Sequence, residues 1–176
     1  MSPSKKIVTI ALLTAIAIIL SYVESLIPSL IPIPGAKIGL PNIVTLLSLN
    51  MLGMIVTLLI VISRILISGF MFGNLSAIIY ALSGGVLSWL LMGILIRINQ
   101  NKGKPYFSLY FISILGAIAH NVGQLIAASI VVNNAHLFIY YLPFLTLIAI
   151  PTGLLIAFIS NKLMKNLSFF SSSLFH

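Results

Sequence analysis

Long apolar segments alternate with short polar breaks along the chain, and this alternation predicts six helices. Five of the segments are close to or above the roughly 20 residues that a helix needs to cross a bilayer. The second segment is shorter, so we expect that helix to be short, tilted or partly extended. The predicted helices cover residues 7–27, 40–51, 55–72, 76–96, 107–132 and 142–164.

The composition places these helices in a membrane. Hydrophobic residues make up 60% of the chain and charged residues 6%, whereas a soluble domain carries roughly 25% charged residues. We therefore predict an all-α, polytopic membrane protein with a single six-helix domain over residues 1–165 and a loosely ordered tail over 166–176. The chain has no cysteine, which excludes disulfides and thiolate metal sites.

The positions of the basic residues indicate how the chain is oriented in the membrane. The formal net charge is +8, but the basic residues are scattered at segment ends and form no patch for nucleic acid. Six helices place most of them on one side, which the positive-inside rule makes the cytoplasm, together with both termini. The residues on that side are Lys5, Lys6, Arg97, Lys102, Lys104, Lys162 and Lys165. Lys37 and Arg64 are the two basic residues that orientation does not explain.

Lys37 lies in a break punctuated by glycine and proline, residues 34–42. Gly35 and Gly39 permit unusual backbone angles, and Pro34 and Pro41 disfavour helix in the residue before each. Irregular backbone at membrane depth is tolerated where it is buried in protein or lines a cavity. The break is thus a candidate binding loop with Lys37 as its anion contact. The alternative is an ordinary surface loop whose lysine lies in water.

Arg64 lies inside the third predicted helix. An arginine at the centre of a membrane helix costs about 2.5–3.5 kcal/mol on insertion scales, so such residues face a cavity or a partner. A purely structural role, through an ion pair with Glu24 or by capping carbonyl groups, is the alternative. Glu24 is the only acidic residue of the chain.

The fifth predicted helix carries three hydrogen-bonding residues in mid-membrane. His120 and Gln124 share a helix face, with Asn121 beside them. They face a cavity or, as the alternative, form a polar network between helices. One histidine does not complete a metal site. The topology puts these residues with Glu24, Lys37, Asn42 and Arg64 in one outward-facing cavity, whose charge of +2 − 1 = +1 favours an anionic or hydrogen-bonding ligand.

Ala11 and Ala15 lie four residues apart on the first helix. Small residues at this spacing let another helix approach closely in lipid. Plain packing within the bundle is the alternative explanation.

Together these residues resemble the Gx transporter family, also called heptaprenyl diphosphate synthase component I and related to the S components of energy-coupling-factor (ECF) transporters. The chain departs from that pattern at Ile38 and Pro41, where leucine and alanine are expected. The resemblance rests on Gly35-x-Lys37-x-Gly39-Leu40-x-Asn42, on Arg64 with Ser68-Gly69 and Phe72-Gly73, and on His120-Asn121-x-x-Gln124.

The resemblance implies a substrate-binding membrane S component in the plasma membrane of a prokaryote. Such a protein captures a vitamin- or cofactor-like molecule and works with a transmembrane coupling subunit and two cytoplasmic ATPases. It is not an enzyme and holds no cofactor or metal of its own. In that relationship Ala11 and Ala15 resemble the motif that docks the coupling subunit.

Our binding hypothesis gives each polar residue a role. Lys37 and Arg64 hold the anionic or carbonyl end of the ligand, and Phe70 and Phe72 stack on its flat part. The ligand is a naphthoate-type quinone precursor or a prenyl compound, with a flavin as a competitor. The residues that supply hydrogen bonds or shape the site are Glu24, Gly39, Asn42, His120, Asn121 and Gln124.

Two other classes compete with this reading. A membrane partner of a prenyl diphosphate synthase is one, but the chain has no aspartate, and such synthases hold magnesium diphosphate through aspartates. Catalysis of that reaction by this chain alone is therefore disfavoured, whereas a non-catalytic partner is compatible. A purely structural scaffold is the other, and it leaves Arg64 and Lys37 unexplained.

Overall fold

The computed structural model describes residues 2–27, 38–101 and 106–173, with side chains up to residue 166. This part of the chain contains helices and no strand, which confirms the all-α prediction. Five helices are long and apolar enough to cross a membrane, and α2 is the exception. The helices are α1 (Pro3–Leu26), α2 (Asn42–Leu52), α3 (Met54–Phe72), α4 (Leu75–Asn101), α5 (Leu109–Val131) and α6 (His136–Ser173).

The short helix α2 lies at the centre of the bundle. It has 11 residues, about 16 Å of helix, roughly half the apolar thickness of a bilayer. All residues from Asn42 to Leu49 are buried, and α2 contacts every other helix. Helices that are buried on all sides are mostly apolar. The polar residues Asn42, Thr45 and Ser48 of α2 are buried together with its apolar residues.

Helices α3 to α6 alternate in direction, and α1 runs parallel to α3. Along α1, Leu13 and Ala17 pack with Ile60 of α3, and Ser21 further along meets Arg64, so α1 and α3 run the same way. Helix α4 returns against α3, because Gly93 lies beside Met54 and Gly85 beside Arg64. Equivalent contacts show that α5 runs against α4, and α6 against α5. The alternation that the six apolar segments predict is present.

Four helix boundaries differ from the sequence-based prediction by four residues or more. Residues 136–141, predicted as an outer loop, form the first turns of α6, because Phe138 and Tyr141 pack on buried Leu125 and Leu145. The helix continues to Ser173 and contains Pro143 as well as Pro151. Whether residues 166–176 are loosely ordered stays a prediction.

Polar groups at the helix ends account for the other two boundaries. Helix α4 extends past Ile96 to Asn101, and the Asn99 amide exchanges two hydrogen bonds with the backbone of Phe107, at 2.8 and 3.0 Å. Helix α1 begins earlier than predicted, at Pro3. The Ser2 hydroxyl caps this end by accepting a hydrogen bond from the Lys5 amide at 3.5 Å.

Glycines bring α4, α5 and α6 into backbone contact. A Cβ on Gly123 would lie 2.6 Å from the Ser83 carbonyl oxygen, and one on Gly153 would lie 2.6 Å from the Ile114 Cα. Serine hydroxyls reinforce both contacts, since Ser83 donates to the Gly123 carbonyl and Ser113 to the Gly153 carbonyl, each at 2.7 Å. Such close approach of small residues is the usual way that membrane helices associate.

Gly123→Ala tests the approach of α4 to α5. The new methyl group would meet backbone atoms, which cannot move aside, and overpacking of this kind costs roughly 1–3 kcal/mol. We expect a lower thermal unfolding midpoint in detergent. Gly93→Ala is the matched control, because its methyl group would meet only the flexible end of Met54. Equal midpoints for the two variants would contradict the close packing.

Candidate functional site

Glu24 ties the end of the loop to α1. Its side chain is buried, and its Oε1 accepts hydrogen bonds from the amides of Gly39 and, at 3.2 Å, Leu40. Gly39 has a φ of +87°, in the left-handed region that glycine adopts without strain. The carboxylate therefore fixes the backbone from which α2 starts.

Arg64 lies beside this carboxylate in the middle of the bundle. It is the eleventh of the 19 residues of α3 and is 5% exposed. Its charge is attracted by that of Glu24, and its Nη1 donates a hydrogen bond of 3.5 Å to the Ser21 hydroxyl. Its Nε and Nη2 are buried with no hydrogen-bond partner in the described structure. Two of the three guanidinium nitrogens, Nε and Nη2, are thus available to another group.

Two successive glycines of α4 connect Arg64 to α5. A Cβ on Gly85 would lie 3.5 Å from Arg64 Nη2. A Cβ on Gly84 would lie 3.2 Å from the His120 ring and 2.8 Å from Gln124 Cγ. Arg64 of α3 therefore lies beside Gly85, and His120 and Gln124 of α5 lie beside the preceding residue, Gly84.

Asn42 and Gln124 complete the cluster. A Cβ on Gly39 would lie 3.2 Å from Asn42 Nδ2 and 3.8 Å from the His120 ring, so these three residues are neighbours. Both amide atoms of Asn42, and Oε1 of Gln124, are buried without a hydrogen-bond partner among the described residues. Buried amides are normally paired. The side-chain amides of Asn42 and Gln124 depart from this rule.

Asn121 does not face this cluster. Its Nδ2 donates a hydrogen bond of 3.1 Å to the Leu145 carbonyl of α6. Of the three residues predicted to face a cavity from α5, Asn121 therefore joins two helices instead. A polar network between helices was the alternative that the sequence left open. His120 and Gln124 lie on the cluster side.

The two phenylalanines predicted to stack on the ligand, Phe70 and Phe72, have different surroundings. Phe72 is half-buried and packs edge to face on Tyr22, with ring centroids 5.4 Å apart. Phe70 is 79% exposed and points away from the bundle, so it does not lie near the polar cluster.

The remaining predicted residues lie elsewhere. Ala11 and Ala15 are exposed on the outer face of α1. Lys37, the predicted anion contact, lies outside the described residues. Among the described residues of the cluster the charge is +1 from Arg64 and −1 from Glu24, or zero, against the +1 that the sequence gives when Lys37 is included.

Ser21 is a member of the cluster that the sequence analysis missed. It is 4% exposed and accepts the hydrogen bond from Arg64. Its signal was its position three residues before Glu24, which places both side chains on one face of α1. The sequence analysis also did not assign Gly84 and Gly85 to the cluster, although Gly85 lies beside Arg64 and Gly84 beside His120 and Gln124.

The model of the family described as heptaprenyl diphosphate synthase component I matches residues 13–163. The chain belongs to this family. The match contains every residue of the polar cluster and all of α2 to α5. No curated protein and no solved structure gives a significant match. The family description and the helical bundle together identify a multi-pass membrane component.

Glu24→Ala tests the tie between α1 and the start of α2. The substitution leaves two amides without an acceptor, and a buried unsatisfied donor costs roughly 1–3 kcal/mol. We expect the thermal midpoint of this family member to fall, and to fall less in Glu24→Gln, whose amide oxygen still accepts. Ser25→Ala, at an exposed neighbouring position, is the control. An unchanged midpoint in Glu24→Ala would show that the carboxylate does not hold the loop.

Proposed function

We propose that the chain is the substrate-binding S component of an ECF-type transporter in the plasma membrane of a prokaryote. Its ligand is a vitamin- or cofactor-like molecule that enters from the outer side. The observation that carries this proposal is the set of buried, unpaired polar atoms of Asn42, Arg64 and Gln124. Three different helices contribute these atoms, and a structural network would pair them with one another.

The proposed mechanism is binding without chemistry. Arg64 supplies charge and donors, Asn42 supplies a donor and an acceptor, and Gln124 supplies an acceptor. Glu24 positions the loop and balances the arginine. Because these groups are held by helices buried against one another, little conformational freedom is lost when a ligand binds. The chain contains no phosphate-binding G-x-x-x-x-G-K-[ST] sequence, so the ATPases are separate proteins.

The exposed face of α1, which carries Ala11 and Ala15, is suited to contact with a coupling subunit. Of the five long helices α1 is the least covered by the bundle, with 22% of its apolar window buried. Ala11 and Ala15 lie exposed on this helix, and small residues there permit close approach of a partner helix. In the proposal this face contacts the transmembrane coupling subunit.

A second candidate function follows from the description of the family. The chain would then be a non-catalytic membrane subunit of a heptaprenyl diphosphate synthase in menaquinone biosynthesis. The absence of aspartate from the sequence supports a partner role over a catalytic one. A soluble synthase subunit, instead of a coupling subunit, would be its partner.

Purification in a mild detergent followed by mass spectrometry tests the proposal. We expect a cofactor-like small molecule in the wild-type protein and its loss, by roughly tenfold or more, in Arg64→Ala, because charge-assisted hydrogen bonds contribute about 1.5–3 kcal/mol. Arg97→Ala is the control, since Arg97 is exposed on α4. A wild-type protein that carries no small molecule but retains a prenyl synthase subunit would favour the second candidate.

Ala11→Leu combined with Ala15→Leu tests the docking face. The larger side chains would hold a partner helix away, and we expect roughly fivefold to hundredfold weaker association with the coupling subunit of the same organism. Co-purification after co-expression measures this association. Leu154→Phe, which enlarges an exposed residue on α6, is the control. Unchanged association in the alanine variant would place the coupling surface elsewhere.

A further inference from the structure

The two free nitrogens of Arg64 lie on the same edge of the guanidinium group. Nε and Nη2 carry parallel N–H groups, and this side-on edge matches the two oxygens of a carboxylate. The third nitrogen, Nη1, is the one that donates to Ser21. The protein thus fixes the arginine by one end and leaves its bidentate edge unpaired.

The wall beside this edge carries no side chain at Gly85. A Cβ at this position would lie 3.5 Å from Nη2, 2.9 Å from Ile65 Cδ1 and 3.3 Å from Val61 Cγ1. Any longer side chain would cover the edge. Arg64 is also 95% buried, since its exposure is 5%, so bulk water does not satisfy these donors.

The charge balance selects among anions. Glu24 already offsets the charge of Arg64, so the described cluster is neutral before a ligand binds. A carboxylate adds one negative charge, whereas a diphosphate adds two or three. Uncompensated charge in a buried site is costly, so the charges of the described residues, taken alone, favour the smaller anion.

The neighbouring amides define what else the ligand carries. Gln124 Oε1 is an unpaired acceptor. The Gln124 side chain lies beside Gly84, the residue before Gly85. Asn42 offers one unpaired donor and one unpaired acceptor. A ligand that satisfies this set has a hydroxyl or amide donor in addition to its carboxylate.

We propose that the cluster binds a monocarboxylate that also carries a hydrogen-bond donor, with the carboxylate held by Nε and Nη2 of Arg64. This inference rests on the proposed function, because it names the ligand class of that site. It assigns the second group to Gln124 and Asn42. It excludes diphosphates and uncharged compounds as the preferred ligands.

Pairs of probes that differ in the carboxylate test the assignment. The acids are pantothenate, biotin and 1-hydroxy-2-naphthoate, and their uncharged partners are panthenol, biotinamide and 1-hydroxy-2-naphthamide. Inorganic pyrophosphate represents the diphosphates. The measurement is the shift of the thermal midpoint of the detergent-purified protein with probe concentration, from which an apparent affinity is obtained. We expect at least one acid to stabilise the wild-type protein while its uncharged partner does not.

Two variants separate the bidentate edge from the charge. Arg64→Lys keeps a positive charge but lacks the parallel donors, and Gly85→Ala narrows the space beside Nη2 while leaving Arg64 intact. We expect each to weaken the binding of the stabilising acid roughly tenfold to hundredfold. Arg97→Lys and Gly93→Ala are the matched controls and should bind as the wild type does. Unliganded midpoints show whether a variant still folds.

Several outcomes would overturn the inference. Equal stabilisation by acid and uncharged partner, a preference for pyrophosphate, no stabilisation by any acid, or full affinity in Arg64→Lys would each do so. A co-purified molecule without a carboxylate would also overturn it while leaving the transporter proposal in place. If nothing co-purifies and no probe binds, both proposals fail.

Discussion

A permanent charge inside an apolar bundle is the constraint on which the centre of this structure depends. Arg64 cannot lose its proton at any physiological pH, so the surrounding protein must accommodate the charged form. Glu24 and Ser21 of α1 do so, Glu24 by its opposite charge and Ser21 by accepting a hydrogen bond. The same carboxylate also fixes the backbone that leads into α2, which couples the charge balance to the chain connection.

Gly84 and Gly123 let α4 and α5 approach each other closely. Gly84 lies against the α5 backbone at His120, and Gly123 lies against the α4 backbone at Ser83 and Gly84, so α4 and α5 meet without side chains between them. This close approach brings His120 and Gln124 to the level of Arg64. Larger residues at Gly84 and Gly123 would hold the backbones of α4 and α5 further apart.

The incomplete pairing of the cluster distinguishes it from a structural network. Asn121 and Ser113 show what a structural contact looks like in this bundle, since each donates to a carbonyl of α6. Arg64, Asn42 and Gln124 retain buried unpaired atoms instead. Unpaired polar groups destabilise a folded protein, and in our proposal a ligand supplies the missing partners. This contrast links the geometry to the binding role that we propose.

The sequence by itself determined the membrane location and the six helices, and it singled out Arg64 and Glu24 as charged residues that need partners. These properties follow from the free energy of transferring single residues or segments out of water, which depends little on their neighbours. Only the tertiary structure decided that α2 is central, that Ser21 supports Arg64, and that Asn121 turns to α6 while His120 and Gln124 turn inward. Those choices depend on the rotation and approach of each helix. Packing between distant segments sets both, and no local pattern encodes it.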